Sequence, residues 1–206
     1  MKDKLIIIGA GGHGKVAADV ALSMGCYREI EYIDDNYEHN KCYGYPVIGD
    51  CSVIDKYTDG AQFFVAIGNS KTRQEKMELL ERSGAEIATL VHSSAVIGKD
   101  VTLGKGTIVM PGTVINAEAE IGEGVIINTG STIDHECNID EYTHISVGAN
   151  IAGQVVIGKH SMIGAGSVII NNISICDECI IGAGAVVIKD ISESGTYIGV
   201  PTIKHR

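Results

Sequence analysis

From Ile97 to Val187 a large aliphatic residue returns at every sixth position, sixteen times in succession and without a slip. The series runs Ile97, Leu103, Val109, Ile115, Ile121, Ile127, Ile133, Ile139 and Ile145, then Ile151, Ile157, Ile163, Ile169, Ile175, Ile181 and Val187. Four places after each comes a small or β-branched partner such as Thr107, Thr113, Ala119, Ser131 or Ala149. A period of six fits neither the helical repeat of about 3.6 residues nor the period of two along a hairpin. It fits short strands joined by tight corners in a parallel β-helix. Residues 91–206 are expected to form such a helix with a short C-terminal tail. Gly follows the aliphatic at Gly98, Gly104, Gly122, Gly158, Gly164 and Gly182, where a corner with positive φ is expected.

Composition agrees with such a core. The chain is 45% hydrophobic but only 5% aromatic and has no Trp, so small and β-branched aliphatics must fill its interior. A net charge of −10 argues against a general nucleic-acid or anionic-membrane binder. Glycines from Gly9 to Gly14 interrupt the first apolar run, so no secretory h-region is expected. No apolar stretch reaches the roughly 18 residues of a spanning helix, and a cytoplasmic protein is expected. The six cysteines read as free thiols. Cys176 and Cys179 form a C-x-x-C without the second pair or the nearby His that a zinc site needs.

Residues 1–90 read differently. Leu5 to Ile8 is a short strand, Gly9-Ala10-Gly11-Gly12-His13-Gly14 a glycine loop, and Lys15 to Met24 a helix stopped by Gly25. Strand, G-x-G-x-x-G and helix is the arrangement that cradles phosphate. A second strand, about Ile30 to Ile33, ends in Asp34-Asp35, where an acid binds a ribose hydroxyl. A third, Gln62 to Ile67, leads through Gly68-Asn69 into a helix over Lys71 to Ser83. Ninety residues supply one mononucleotide half, so a Rossmann-like domain holding a nucleotide with one ribose is expected rather than a dinucleotide site.

Attack by a protonated nucleophile on a carbonyl needs a base for its proton and a donor for the developing oxyanion. Asp134-His135-Glu136 offers the base, an imidazole beside a carboxylate that orients it. That contact requires a corner, because neighbours on a strand point to opposite sides. A coil of three sextets would set Gly153 over His135, a bare position with a backbone N–H beside the imidazole. Gly164-Ala165-Gly166 and Gly182-Ala183-Gly184, with Val147-Gly148 beneath, are expected to extend this into a strip without large side chains.

The segments "IIIGAGGHGKVAADV", "GYPVIGD", "VAIGNS", "LVHSSAVIG" and "IGVPTIKHR", together with the sextets, resemble the hexapeptide-repeat sugar acyltransferases. That family includes UDP-N-acetylbacillosamine and perosamine N-acetyltransferases and is related to sialic acid O-acetyltransferases. The resemblance implies a left-handed coil of three sextets, in which residues 18 apart stack, a homotrimer with acetyl-CoA held between neighbours and its thioester at Gly153, no metal, and transfer of acetyl to the 4-amino group of a nucleotide-linked sugar, UDP-sugar favoured, in bacterial glycan synthesis. It implies that His135 is the general base beside Glu136, and that His144, Gly153, Ala165 and Ala183 line the acetyl-CoA site. Gly12, His13, Gly14, Asp34, Asp35 and Gly68 are matched to the nucleotide-sugar site. Lys159, Lys189, Lys204 and Arg206 are candidate partners for the CoA phosphates. Competing expectations are a sialic acid O-acetyltransferase, a metal-dependent hydratase, whose close histidine pairing His135, His144 and His160 do not reproduce, an NAD-dependent oxidoreductase, and a scaffold without activity.

Overall fold

The computed structural model describes residues 3–36 and 40–205, and the chain divides into two compact units at Ser93 and Ser94. In the first unit β1 (Lys4–Ile8) leads through the glycine loop into α1 (Gly12–Met24), and β2 (Glu29–Ile33) follows. A two-strand ribbon, β3 (Lys41–Cys42) and β4 (Tyr45–Pro46), and a 3-10 turn (Cys51–Lys56) precede β5 (Gln62–Val65). Then come α2 (Ser70–Arg82) and β6 (Glu86–Ile87). The sheet is parallel, in the order β2-β1-β5-β6, and Leu5, Ile6, Ile7, Phe63 and Phe64 are buried in it.

The glycines have separate duties. A Cβ on Gly9 would lie 2.8 Å from the Ala66 carbonyl oxygen, and one on Gly14 would press on the Gly9 carbonyl, so both allow strand and helix to touch. Gly11 and Gly12 face open space. The helix therefore begins at Gly12, inside the motif, with no side-chain cap on its first amides. Its end is conventional: Gly25 takes the left-handed conformation, φ 69°, and returns its N–H to Leu22 O. Asn69 caps α2 by accepting the Thr72 N–H at 3.0 Å.

The second unit is a parallel β-solenoid. Strands stack on three faces: the first from Ile108–Val109 to Cys179–Ile181, the second from Val96–Ile97 to Val186–Val187, the third from Thr102–Leu103 to Ser174–Ile175. Register is 18 residues throughout, as in Ile115 opposite Ile133 and Ile133 opposite Ile151. The inward isoleucines from Ile115 to Ile181 are buried, each contributing about 1.5–3 kcal/mol by leaving water. The small partners are buried too, and their hydroxyls tie coil to coil. Thr143 Oγ1 donates to Gly158 O at 2.9 Å and accepts the Ser161 N–H at 3.3 Å. Thr107 does the same with Gly122 O and the Val125 N–H. Small hydroxylated residues recur there because the site is both tight and polar.

One expectation is corrected. The glycines that follow the aliphatics do not have positive φ; the left-handed residue comes three places after the aliphatic, at Asp100, Gly106, Gly112, Glu118 and every sixth position to Gly184. Gly98, Gly104 and Gly122 are needed for space instead, because a Cβ there would strike the backbone of the coil above. On Gly104 it would sit 2.5 Å from Glu123 N and Gly122 C. Gly104→Ala is therefore expected to destabilise the unit by about 3 kcal/mol, the upper range for overpacking. Gly130→Ala, at φ 64° but facing open space, costs only about 1 kcal/mol of backbone strain. Chemical denaturation of the two variants checks the order; equal losses contradict it. Among the described residues no helix is long and apolar enough to cross a membrane.

Candidate active site

The corner between the second and third faces carries the histidine. Glu136 is the left-handed residue of this turn, φ 56°, and the reversal swings its side chain round to the imidazole of its neighbour. His135 Nδ1 lies 3.0 Å from Glu136 Oε2. A carboxylate only accepts, so Nδ1 carries the proton and Nε2 presents its lone pair. Beneath, Asp134 Oδ1 accepts the His135 N–H at 2.8 Å and Asn116 Nδ2 at 2.7 Å. These donors hold the Asp134 carboxyl below its ordinary range, the Asn116 bond most and the His135 N–H next.

Nε2 faces Gly153. A Cβ on that glycine would stand 2.5 Å from Nε2 and 2.7 Å from Cε1, so the missing side chain is the space beside the lone pair. Gly153→Ala is expected to turn the ring and, with His135 as the expected base, to lower turnover by about a hundredfold, the usual scale for misplacing a reacting group by about an ångström. Stability should hardly change, because the His135 side chain is 53% exposed and free to rotate. Turnover and thermal melting of the purified variant check both halves of this expectation.

The other expected acetyl-CoA contacts lie elsewhere on the coil. Ala165 and Ala183 are exposed at stacked positions of the corner between the first and second faces, linked by the Gly184 N–H to Ala165 O at 2.9 Å. Val147 and Gly148 continue that column below, through the Gly166 N–H to Val147 O. His144 is on the first face, with Asn128 Nδ2 at 3.2 Å from its Nε2. The single strip expected from the sequence is therefore two strips at two corners. His135 and Gly153 share one and Ala165 and Ala183 the other, because 135 and 165 do not differ by a multiple of 18.

Of the candidate cations, Lys159 pairs with Glu141 at 2.9 Å and Lys204 with Glu193 at 2.7 Å. Lys189 is exposed and lines a cleft of about 230 Å³ with Ile188, Pro201, Thr202 and Ile203. Arg206 lies outside the described residues. The sulfurs of Cys176 and Cys179 stand 3.6 Å apart. Burial, then the neighbouring thiol, pushes Cys179 up to about 12 and keeps it a neutral thiol. Among the described residues no group of three His, Cys, Asp or Glu side chains is arranged to hold a metal ion.

In the first unit a cleft of about 290 Å³ is lined by Ile8, Gly9, Asp34, Asp35, Asn36, Ile67, Thr72 and Lys76. It brings Asp34 and Asp35 together with two residues that sequence reading missed, Thr72 and Lys76. Asp34 braces the loop, its two oxygens accepting the Ala10 and Asn36 N–H groups at 2.7 and 2.9 Å. Asp35 bonds Lys76 and accepts the Cys51 N–H at 2.9 Å. Gly12 and His13 begin α1 outside this lining, Gly14 is buried under Gly9, and Gly68 is held from behind. The holder is Arg73, fully buried, whose Nη1 donates to Ile67 O at 2.8 Å and Gly68 O at 2.9 Å. A charged group buried in this way is spent on fixing a loop, and nothing local in the sequence announces it.

The Lys76 hydrogen bond, and after it the Cys51 N–H, hold the Asp35 carboxyl down at about 2 from an ordinary 3.8. A depressed carboxyl contributes stability above its unfolded pKa and loses it as pH falls through the folded one. The stability difference between the native chain and Lys76→Met should thus be full above about pH 5, shrink as pH falls toward 2, and be lost only below about pH 2. Melting temperatures across that range test this; a difference independent of pH rules it out.

Comparison with known proteins adds a second line of evidence. Residues 4–80 match the PglD N-terminal domain, residues 94–134 the hexapeptide repeat of succinyl-transferase, and residues 154–189 the bacterial transferase hexapeptide of six repeats. The acetyltransferase domain of PglB from Neisseria gonorrhoeae FA1090, solved with acetyl coenzyme A, superposes with a TM-score of 0.96 at 34% identity, covering 100% of each chain. The chain belongs to this family of hexapeptide-repeat sugar acyltransferases. PerB from Caulobacter crescentus, in complex with CoA and GDP-perosamine, superposes with a TM-score of 0.93 at 34% identity over 98% of this chain and 97% of that one. A UDP-N-acetylbacillosamine N-acetyltransferase of Bacillus subtilis (strain 168) is 32% identical over 107 residues, 50% of each sequence. The match thus spans about half the length of that curated relative.

Proposed function

We propose that the chain is an acetyl-CoA-dependent N-acetyltransferase that acetylates the 4-amino group of a nucleotide-linked sugar, a UDP-sugar favoured, in bacterial glycan synthesis. The observation that carries this reading is the His135 imidazole, which donates its Nδ1–H to Glu136 and is open on Nε2 beside Gly153. The likeness to family members solved with acetyl-CoA, and with CoA and a nucleotide amino sugar, supports it.

The chemistry is direct attack. Nε2 removes a proton from the sugar amine as its nitrogen bonds to the thioester carbonyl carbon. The carbonyl oxygen becomes an oxyanion, and the Gly153 N–H is the donor that meets it. When the intermediate collapses, the C–S bond breaks and the departing CoA sulfur takes the proton from Nε2. Base and acid are thus one group, and the products are the amide and free CoA thiol.

The pantetheine arm would lie along the Ala165–Ala183 column, which one chain places a full face away from His135. A complete site accordingly takes its base from one copy and its strip from the next, and closed assembly as a homotrimer supplies each with a neighbour. The cleft at Asp34, Asp35, Thr72 and Lys76 is the nucleotide clamp.

Thiol release from acetyl-CoA with a panel of nucleotide-linked 4-amino sugars, run beside free sialic acid, tests the reading. Turnover is expected on an amino-sugar nucleotide and should fall by about a hundredfold or more in His135→Ala, the usual scale for a general base. Turnover on sialic acid alone would move the acceptor to a hydroxyl, and an unchanged rate in the variant would remove His135 from the mechanism.

A further inference from the structure

We propose that Gln154 is a positioning residue for the base, holding the Glu136 carboxylate against the imidazole. The assignment rests on His135 being the base, as argued above. Gln154 Nε2 donates to Glu136 Oε2 at 3.0 Å, and this is the same oxygen that His135 Nδ1 meets at 3.0 Å. The Gln154 backbone N–H also donates to His135 O at 2.9 Å. One residue is therefore tied to the backbone of the base and to the carboxylate that orients it.

The surrounding charges explain why a donor is needed there. Glu118, Glu136, Gln154 and Asn172 form one column of left-handed corner residues, φ 62°, 56°, 60° and 61°. Below Glu136 the column is acidic. Asp100, Glu118 and Glu120 line the same cleft of about 460 Å³ as Glu136, so like charges surround that carboxylate on one side. Above it stands a neutral amide. Gln154 converts the column from acceptors to a donor at the step next to the histidine, and so draws Oε2 toward the ring. An acid at that place would instead add a further like charge.

The test uses the full-length protein and a double-mutant cycle. Gln154→Gly removes the amide while glycine takes the left-handed corner without strain, and Gln154 is exposed, so the fold should persist. Expected is a fall in kcat of about tenfold, the scale of coupling within one hydrogen-bonded network, with KM for acetyl-CoA and for the sugar unchanged. Gln154→Glu should fall further. In a Glu136→Ala background the Gln154→Gly change should add nothing, because the carboxylate it holds is gone. A wild-type kcat in Gln154→Gly, or a loss that simply adds in the double variant, overturns the assignment. A wild-type chain inactive on every amino-sugar nucleotide and on sialic acid overturns the functional reading itself, and this inference with it.

Discussion

The backbone ladder between coils sets the position of every chemical group in the second unit. Amides of one turn bond the carbonyls of the next, as Thr132 N does to Ala149 O and Asp134 N to Ile151 O, both at 2.9 Å. That fixed offset puts Gly153 over His135 and Gln154 over Glu136. A single inserted residue would turn each strand's inward side chains outward and would slide the bare position away from the imidazole. The unbroken sextet run is therefore a requirement of the site as much as of the core.

The same ladder accounts for what was legible in the sequence. Period, inward isoleucines, the stacking of Gly153 on His135 and the need for a corner at Glu136 all follow from counting, because a solenoid converts sequence distance into spatial distance. Counting alone also separates the His135 corner from the Ala165 corner, a step missed by reading small residues as one strip. Glycines after the aliphatics such as Gly98, Gly104 and Gly122 leave room for backbone, which no φ argument reveals. In the first unit counting has no such power. Asp35 meets Lys76 across 41 residues, because crossover connections bring distant segments together without a fixed offset, and Arg73, though only five residues from Gly68, shows its role only through its burial.

Charge poses the remaining question. A chain of net −10 that takes the two anionic substrates of the proposed reaction must do so with local donors. The first unit offers open glycine amides at the start of α1 and a lysine already paired with an acid, so a nucleotide would be met by directed N–H groups rather than by a positive field. The second unit offers exposed Lys189. Such an arrangement favours orientation over capture, which suits an enzyme that must align an amine with a thioester.

Orientation also requires that water be kept out at the moment of transfer. In a single chain His135 is half exposed, and there its hydrogen bond to Glu136 competes with solvent. The two corners lie on opposite edges of the second face, whose outward positions include the exposed apolar Val96 and Val168. In the proposed assembly a neighbour's corner would supply the pantetheine strip and cover the imidazole. Drying that corner strengthens the Glu136–His135–Gln154 contacts through the lower local dielectric. The base would then be fully poised only in the assembled enzyme.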